Sequence, residues 1–191
     1  MTMAGVVLAG GKSSRYGKPK MFELYEGKCL YEYSLDALRE HSLHPLIIST
    51  NPDLLPKFKQ VDVRFVIEEE QNYQGPLFAL HHIMSSVPDS EWFFVLASDL
   101  PFMTSAFVET MISLTEDQYD AIVPTQSNRI QPLTALYHRR SLDKAQLLLQ
   151  NNKKSMRALL DQLTVRYVPF ANDQQEFINI NSKEDWPKEI K

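Results

Sequence analysis

The chain has 191 residues, 43% of them hydrophobic and 23% charged, with a formal net charge of −4 and a single cysteine. Those values suit one folded domain over 1–191 and exclude a disordered or fibrous chain. The acidic balance argues against a nucleic-acid partner, no apolar run approaches the roughly 20 residues of a membrane span, and the lone Cys29 cannot form an internal disulfide. With no charged, apolar and cleavable leader at its start, the chain is expected to be cytoplasmic.

Strand and helix signals then alternate along the chain. Residues 3–9, MAGVVLA, form a short apolar run ended by glycines and predict a buried strand. Helical spacing of Leu30, Tyr33, Ala37, Leu38 and His41 predicts a helix over 30–41. Strands are expected at 45–50 and 63–67, and a helix follows Gly75-Pro76 with Leu77, Leu80, Met84 and Val87 on one face. Trp92 to Ala97 is the most apolar strand, and Phe107, Met111 and Leu114 mark the next helix. Strands near 120–124 and 133–138, helices near 141–150 and 155–163, and a strand near 165–169 complete the series. It ends at FININ, 177–181, where strand alternation would put Phe177, Asn179 and Asn181 on one face. Such alternation predicts an α/β fold of right-handed βαβ units, with a mostly parallel central sheet between helices. Ligands of these sheets gather where loops leave the carboxyl ends of strands.

The loop after the first strand reads LAGGKSSRYGKPK, Leu8 to Lys20, and places Lys12, Arg15, Lys18 and Lys20 within nine residues of an acidic chain. It is not a Walker A loop, because the required first glycine falls on Val6, and it is not a dinucleotide fingerprint, because Gly10 and Gly11 are adjacent. Adjacent glycines expose backbone N–H groups to phosphate oxygens, against which Arg15 and Lys20 can set charge. The alternative is a tight, solvated basic turn. Past the apolar strand stands Asp99, either a carboxylate for a hard cation or the cap of the next helix. Glu68-Glu69-Glu70 alone would read as a solvated acidic turn, and Gly75-Pro76 as an ordinary helix start. No histidine spacing suggests a metal, and no nucleophile-base pair is evident.

The segment LAGGKSSRYGKPK resembles the signature LAGG-x-S-x-R-M-G-x-x-K of nucleotidyltransferases, closest to the molybdenum cofactor guanylyltransferases of the MobA type. FVIEEEQNYQGPLFAL at 65–80, FVLASDLPFMT at 94–104, QPLTALYH at 131–138 and NINSKED at 179–185 resemble the family's later motifs in order. Tyr16 stands where the family has methionine, and Glu69 where it has an acidic contact that is usually aspartate.

The resemblance implies a three-layer, Rossmann-like nucleotidyltransferase fold. It also implies transfer of GMP from GTP to the terminal phosphate of molybdopterin, with pyrophosphate released and Mg²⁺ as cofactor. Arg15, Lys20 and Asp99 would be catalytic, with Asp99 holding the metal. Leu8, Ala9, Gly10, Gly11, Lys20, Glu69, Gly75, Pro76 and Asp99 would bind GTP. Ser49, Asn51, Asn179 and Asn181 would serve the phosphate or acceptor side, with Pro132 and Thr134 as neighbours. GTP and molybdopterin are the implied partners, with transient contacts to proteins of cofactor biosynthesis left open. Two alternatives stand: a cytidylyltransferase for molybdopterin or a sugar or polyol phosphate, and a nucleotide-binding regulatory module without turnover.

Overall fold

The computed structural model describes residues 1–11, 17–69 and 74–186. Its eight-stranded sheet is built on β1 (Met3–Leu8), β4 (Leu46–Thr50), β5 (Arg64–Ile67), β6 (Trp92–Ala97), β7 (Ala121–Gln126), β8 (Arg129–Ile130), β9 (Thr134–His138) and β10 (Val165–Phe170). The order across the sheet is β10-β7-β9-β6-β1-β4-β5, with β8 on β7. A separate hairpin joins β2 (Leu24–Tyr25) to β3 (Lys28–Cys29). These two-residue pairs and β8 are too short to show a period-two pattern in sequence. The helices are α1 (Leu30–Arg39), α2 (Pro76–Ser86), α3 (Ser105–Ser113), α4 (Leu142–Gln150) and α5 (Met156–Leu160).

The expected three-layer α/β architecture is present, because alternate residues of the central strands feed two cores. On one face Met3, Val7, Ile48, Phe94, Leu96 and Leu136 pack with Leu35 and Leu38 of α1 and Phe107, Val108 and Met111 of α3. On the other, Ala4, Val6, Ile47, Val66, Phe93, Val95 and Tyr137 pack with Leu77, Leu80, Ile83 and Met84 of α2, Leu148 of α4, and Leu159 and Leu160 of α5. Gly5 lies between Met3 and Val7 on the α1 face. A Cβ there would stand 2.9 Å from Leu46 Cδ2 and 3.2 Å from Leu38 Cβ, so the missing side chain is what lets α1 close on β1.

The sheet is mostly parallel, with one inversion: β9 runs antiparallel to both β6 and β7. Only residues 127–133, including β8, separate β7 from β9. A parallel return needs a crossover of about a dozen residues or more, so the chain can only double back. A second departure from expectation is FININ. Residues Gln175–Phe177 form a 3₁₀ turn, and the chain beyond is irregular. Phe177 and Ile180 are buried while Ile178 is 41% exposed, so the two isoleucines do not share a face. The helix expected over 155–163 is also shorter, ending at Leu160.

β1 is the branch point of the sheet. The chain leaves it toward β4 and β5 by way of α1 on one face, then returns to its other side at β6 by way of α2 on the opposite face. A crevice must therefore open above the carboxyl ends of β1 and β6.

At the opposite end, Asp120 ties three segments together. It accepts from the Thr164 N–H and Arg140 Nε, each at 3.0 Å, with Lys144 Nζ at 3.9 Å. Burial pushes its pKa up, but the Thr164 N–H and the two cations outweigh that and hold it below the ordinary value of 3.8. Its stabilisation is thus complete above that ordinary value and is lost as pH falls through the lower folded one. Asp120→Asn should cost about 2 kcal/mol at neutral pH and flatten the acid limb of a urea-denaturation pH series. Gly5→Ala should lower stability by about 1–3 kcal/mol in the same denaturation assay, with the secondary-structure spectrum retained.

Candidate active site

The crevice is a cavity of about 650 Å³, with walls drawn from eight stretches of the chain. Leu8, Gly10 and Gly11 follow β1, Lys20 and Met21 end the basic loop, and Ser49 and Glu68 come from β4 and the end of β5. Pro76 and Ala79 open α2, and Ala97, Ser98 and Asp99 follow β6. Gln131–Thr134 and the pair Asn179 and Asn181 close the remaining sides.

Its electrostatic centre is an ion pair: Lys20 Nζ lies 2.6 Å from Asp99 Oδ2, with the two side chains 15% and 13% exposed. Lys20 Nζ also donates to Asn181 Oδ1 at 3.0 Å. Lys20 is aimed by its turn, Lys20–Phe22, in which Met21 is buried and Phe22 packs edge-on against Tyr31 and Phe58. Asp99 is aimed by a buried strand, and its carbonyl accepts the Ile180 N–H at 3.1 Å. The alternative of a helix cap falls away, because α3 is capped by Thr104, whose Oγ1 accepts the Phe107 N–H at 3.1 Å. Lys18 Nζ lies 2.5 Å from Glu23 Oε1 and does not line the cavity.

The glycine loop is held from behind. Thr50 Oγ1 donates to the Ala9 carbonyl at 2.9 Å, and the Ala9 N–H donates to Ser49 O at 2.8 Å. Asn51 Nδ2 donates to the Gly10 carbonyl at 3.3 Å, while Asn51 Oδ1 accepts the Leu54 N–H. Ala9 and Asn51 therefore support the loop instead of lining the cavity. Gly75, at φ +91, caps α2 in a backbone region suited to glycine; Pro76 behind it is the lining residue.

The acidic wall residue is Glu68 and not the expected Glu69, which is exposed. Glu68 shares a strand face with buried Val66, and its Oε1 accepts Ser49 Oγ at 3.3 Å. Continuing the β5 alternation from Val66 would have found it; three consecutive glutamates conceal that parity. Gln131 and Leu133 were legible only as members of the QPLTALYH motif and not as individual site candidates, since they lie on the short return between β8 and β9. The structure sets Pro132 there through Tyr137, whose buried hydroxyl donates to the Pro132 carbonyl at 2.7 Å. Burial drives the Tyr137 pKa far upward, so the hydroxyl keeps its proton.

Of the expected site residues, Leu8, Gly10, Gly11, Lys20, Ser49, Pro76, Asp99, Asn179 and Asn181 meet in one cavity. Arg15 and Lys12 lie outside the described residues. Among the described residues no three His, Cys, Asp or Glu side chains are grouped to hold a metal, and no helix is long and apolar enough to cross a membrane. Asp99, a cavity carboxylate already engaged with a cation, does fit a hard metal that draws its other ligands from phosphate oxygens and water.

Comparison with known proteins agrees with this fold. Residues 5–167 match the model of the MobA-like NTP transferase domain. The chain is 35% identical over 189 residues to a probable molybdenum cofactor guanylyltransferase of Geobacillus sp. (strain WCH70), covering 96% of each chain. A protein of the same name from Bacillus mycoides (strain KBAB4) is 34% identical over 188 residues, covering 96% of this chain and 93% of that one. Among solved structures, molybdopterin-guanine dinucleotide biosynthesis protein A from Archaeoglobus fulgidus superimposes with a TM-score of 0.76 at 21% identity, over 95% of this chain and 94% of that one. Rv0371c from Mycobacterium tuberculosis H37Rv gives 0.79 at 17% identity, over 97% and 96%. From within β1 to the middle of β10, then, the chain belongs to the family of MobA-like NTP transferase domains.

Proposed function

We propose that residues 1–191 act as one nucleotidyltransferase domain that moves GMP from GTP to the terminal phosphate of molybdopterin, forming molybdopterin guanine dinucleotide and pyrophosphate. The observation that carries this reading is the convergence of Lys20, Asp99 and the Gly10-Gly11 backbone on one cavity. The names of the relatives, probable molybdenum cofactor guanylyltransferases, support the acceptor and the base.

In this reaction an oxygen of the acceptor phosphate forms a bond to the α-phosphorus of GTP. The bond from that phosphorus to the bridging oxygen breaks, and the electron pair leaves with pyrophosphate. A terminal phosphate is already ionised near neutral pH, so positioning and charge neutralisation dominate over general-base catalysis. The absence of a nucleophile-base pair from the sequence suits that chemistry. Gly10 and Gly11 offer the triphosphate bare backbone, Lys20 provides a point charge, and Arg15 is assigned to the same anion from its place in the signature motif. Asp99 would hold Mg²⁺, whose chemistry there is neutralisation of phosphate charge.

Glu68 supports guanine. A carboxylate can accept from both N1–H and the 2-amino group of that base, whereas cytosine offers only its 4-amino donors. Ser49 anchors one Glu68 oxygen, which fixes the carboxylate toward the α2 side of the crevice.

With Mg²⁺ and molybdopterin, pyrophosphate release should depend on GTP and resist competition by CTP, and the product mass should correspond to the guanine dinucleotide. Glu68→Gln should reduce the GTP-over-CTP preference by roughly tenfold or more. A purified chain that binds GTP but releases no pyrophosphate with acceptor present would be a regulatory module instead.

The Lys20–Asp99 contact generates a separate expectation. Lys20 occupies the place of a cation on the proposed metal carboxylate, so in the nucleotide-free protein the two cations compete. Lys20→Met should tighten Mn²⁺ binding, followed by electron paramagnetic resonance without nucleotide, by roughly tenfold, while turnover falls.

A further inference from the structure

The segment after β10 crosses the carboxyl ends of the strands and brings Asn179 and Asn181 to the cavity. It is fixed on both sides of Asn181. On one side Ile180 is fully buried beside Leu30, with Tyr25 and Trp186 packed against the same cluster. On the other, Asp185 Oδ2 accepts the backbone N–H groups of Asn181 and Ser182, both at 2.7 Å.

The proposed role of Lys20 at the triphosphate is the starting point. We propose that Asp185 is a positioning residue: by clamping the Asn181 backbone it aims the Asn181 amide oxygen at the Lys20 ammonium and so holds that ammonium beside Asp99. The chain of contacts is continuous, from Asp185 to the Asn181 N–H, and from Asn181 Oδ1 to Lys20 Nζ at 3.0 Å.

The simpler account is a local cap. Ser182 and Asp185 do form a reciprocal capping pair on the turn Lys183–Asp185. Of the two bonds that Asp185 Oδ2 accepts, that cap uses only the one from Ser182 N, however. The bond to Asn181 N reaches one residue further, to the residue that touches Lys20. Asp185 is exposed, so truncating it opens no cavity in either core. Its pKa is held below 3.8 first by the Asn181 and Ser182 N–H groups, with Lys20 acting in the same direction, and the clamp is therefore charged at neutral pH.

The test is a double-mutant cycle in the full chain: wild type, Asp185→Ala, Asn181→Ala and the double variant. Pyrophosphate release is measured against GTP concentration with Mg²⁺ and molybdopterin, with thermal unfolding in parallel. Asp185→Ala should lower kcat/KM about tenfold, the scale of one charge-assisted hydrogen bond, and leave the unfolding midpoint near wild type. In the Asn181→Ala background it should add no further loss, because both substitutions break the same chain. Asp185→Asn, whose amide oxygen still accepts both N–H groups, should recover most of the rate. Equal losses in both backgrounds, or a wild-type rate in Asp185→Ala, would overturn the assignment. A wild-type protein without turnover sinks the transferase reading separately. The positioning role is then decided by the Lys20 Nζ resonance in the ligand-free protein. Asp185→Ala and Asn181→Ala must displace it alike, and an unmoved resonance in Asp185→Ala refutes the role.

Discussion

The ion pair between Lys20 and Asp99 is the constraint around which the crevice is organised. A carboxylate delivered by a buried strand to a partly enclosed site needs a counter-charge. The counter-charge here comes from a residue 79 positions away in sequence. The pair therefore stitches the loop after β1 to the end of β6 across the branch point of the sheet. Loss of either partner would leave the charge of the other nearly buried without its counter-ion. Phosphate and a divalent cation present the same two charges with their partners exchanged, so the arrangement is suited to their arrival.

Around this pair, the fold divides support from contact. Thr50 and Asn51 bond to the carbonyls of Ala9 and Gly10 from the β4 side, leaving the front of the glycine loop to the cavity. Tyr137 does the same for Pro132 from within the α2-side core. On the third side, Ser34 of α1 donates to the Ala97 carbonyl at 2.7 Å, bracing the strand end from which Asp99 projects. Thr50, Ser34 and Tyr137 are all fully buried, and Asn51 directly follows β4. The wall is consequently built from backbone that cannot relax independently of the sheet.

Much of this was legible in the sequence. The strand and helix alternation specified the layers because each central strand carries apolar residues on both faces, and β1 and β6 do so over six residues each. Asp99 was legible because it is the first charge after the most apolar run. What failed depends on register or on the length of a return. Glu69 and Glu68 differ only in parity, and composition cannot resolve parity. The inverted β9 follows from a connection too short for a crossover. FININ shows strand-like alternation, yet no neighbouring strand pairs with it, so burial follows the 3₁₀ turn and places Phe177 and Ile180 inside. Asn179 and Asn181 reach the cavity regardless, through the clamp on either side of Asn181 and not through a pleat.

The glycines make the division between fold and function sharpest. Gly5 is required from inside: any side chain would strike Leu46 and Leu38. Gly10 is different, because a Cβ there would meet Glu68 Oε1 at 3.5 Å, an ordinary contact distance. At Gly11 no described atom lies within 4 Å of such a Cβ. Among the described residues, neither packing nor a left-handed backbone calls for glycine at those two positions. In the proposed reaction the demand comes from a ligand that approaches the backbone more closely than a methyl group would permit. With Lys20 beside Gly10 and Gly11 in the cavity wall, the phosphate oxygens of the proposed GTP substrate meet that description.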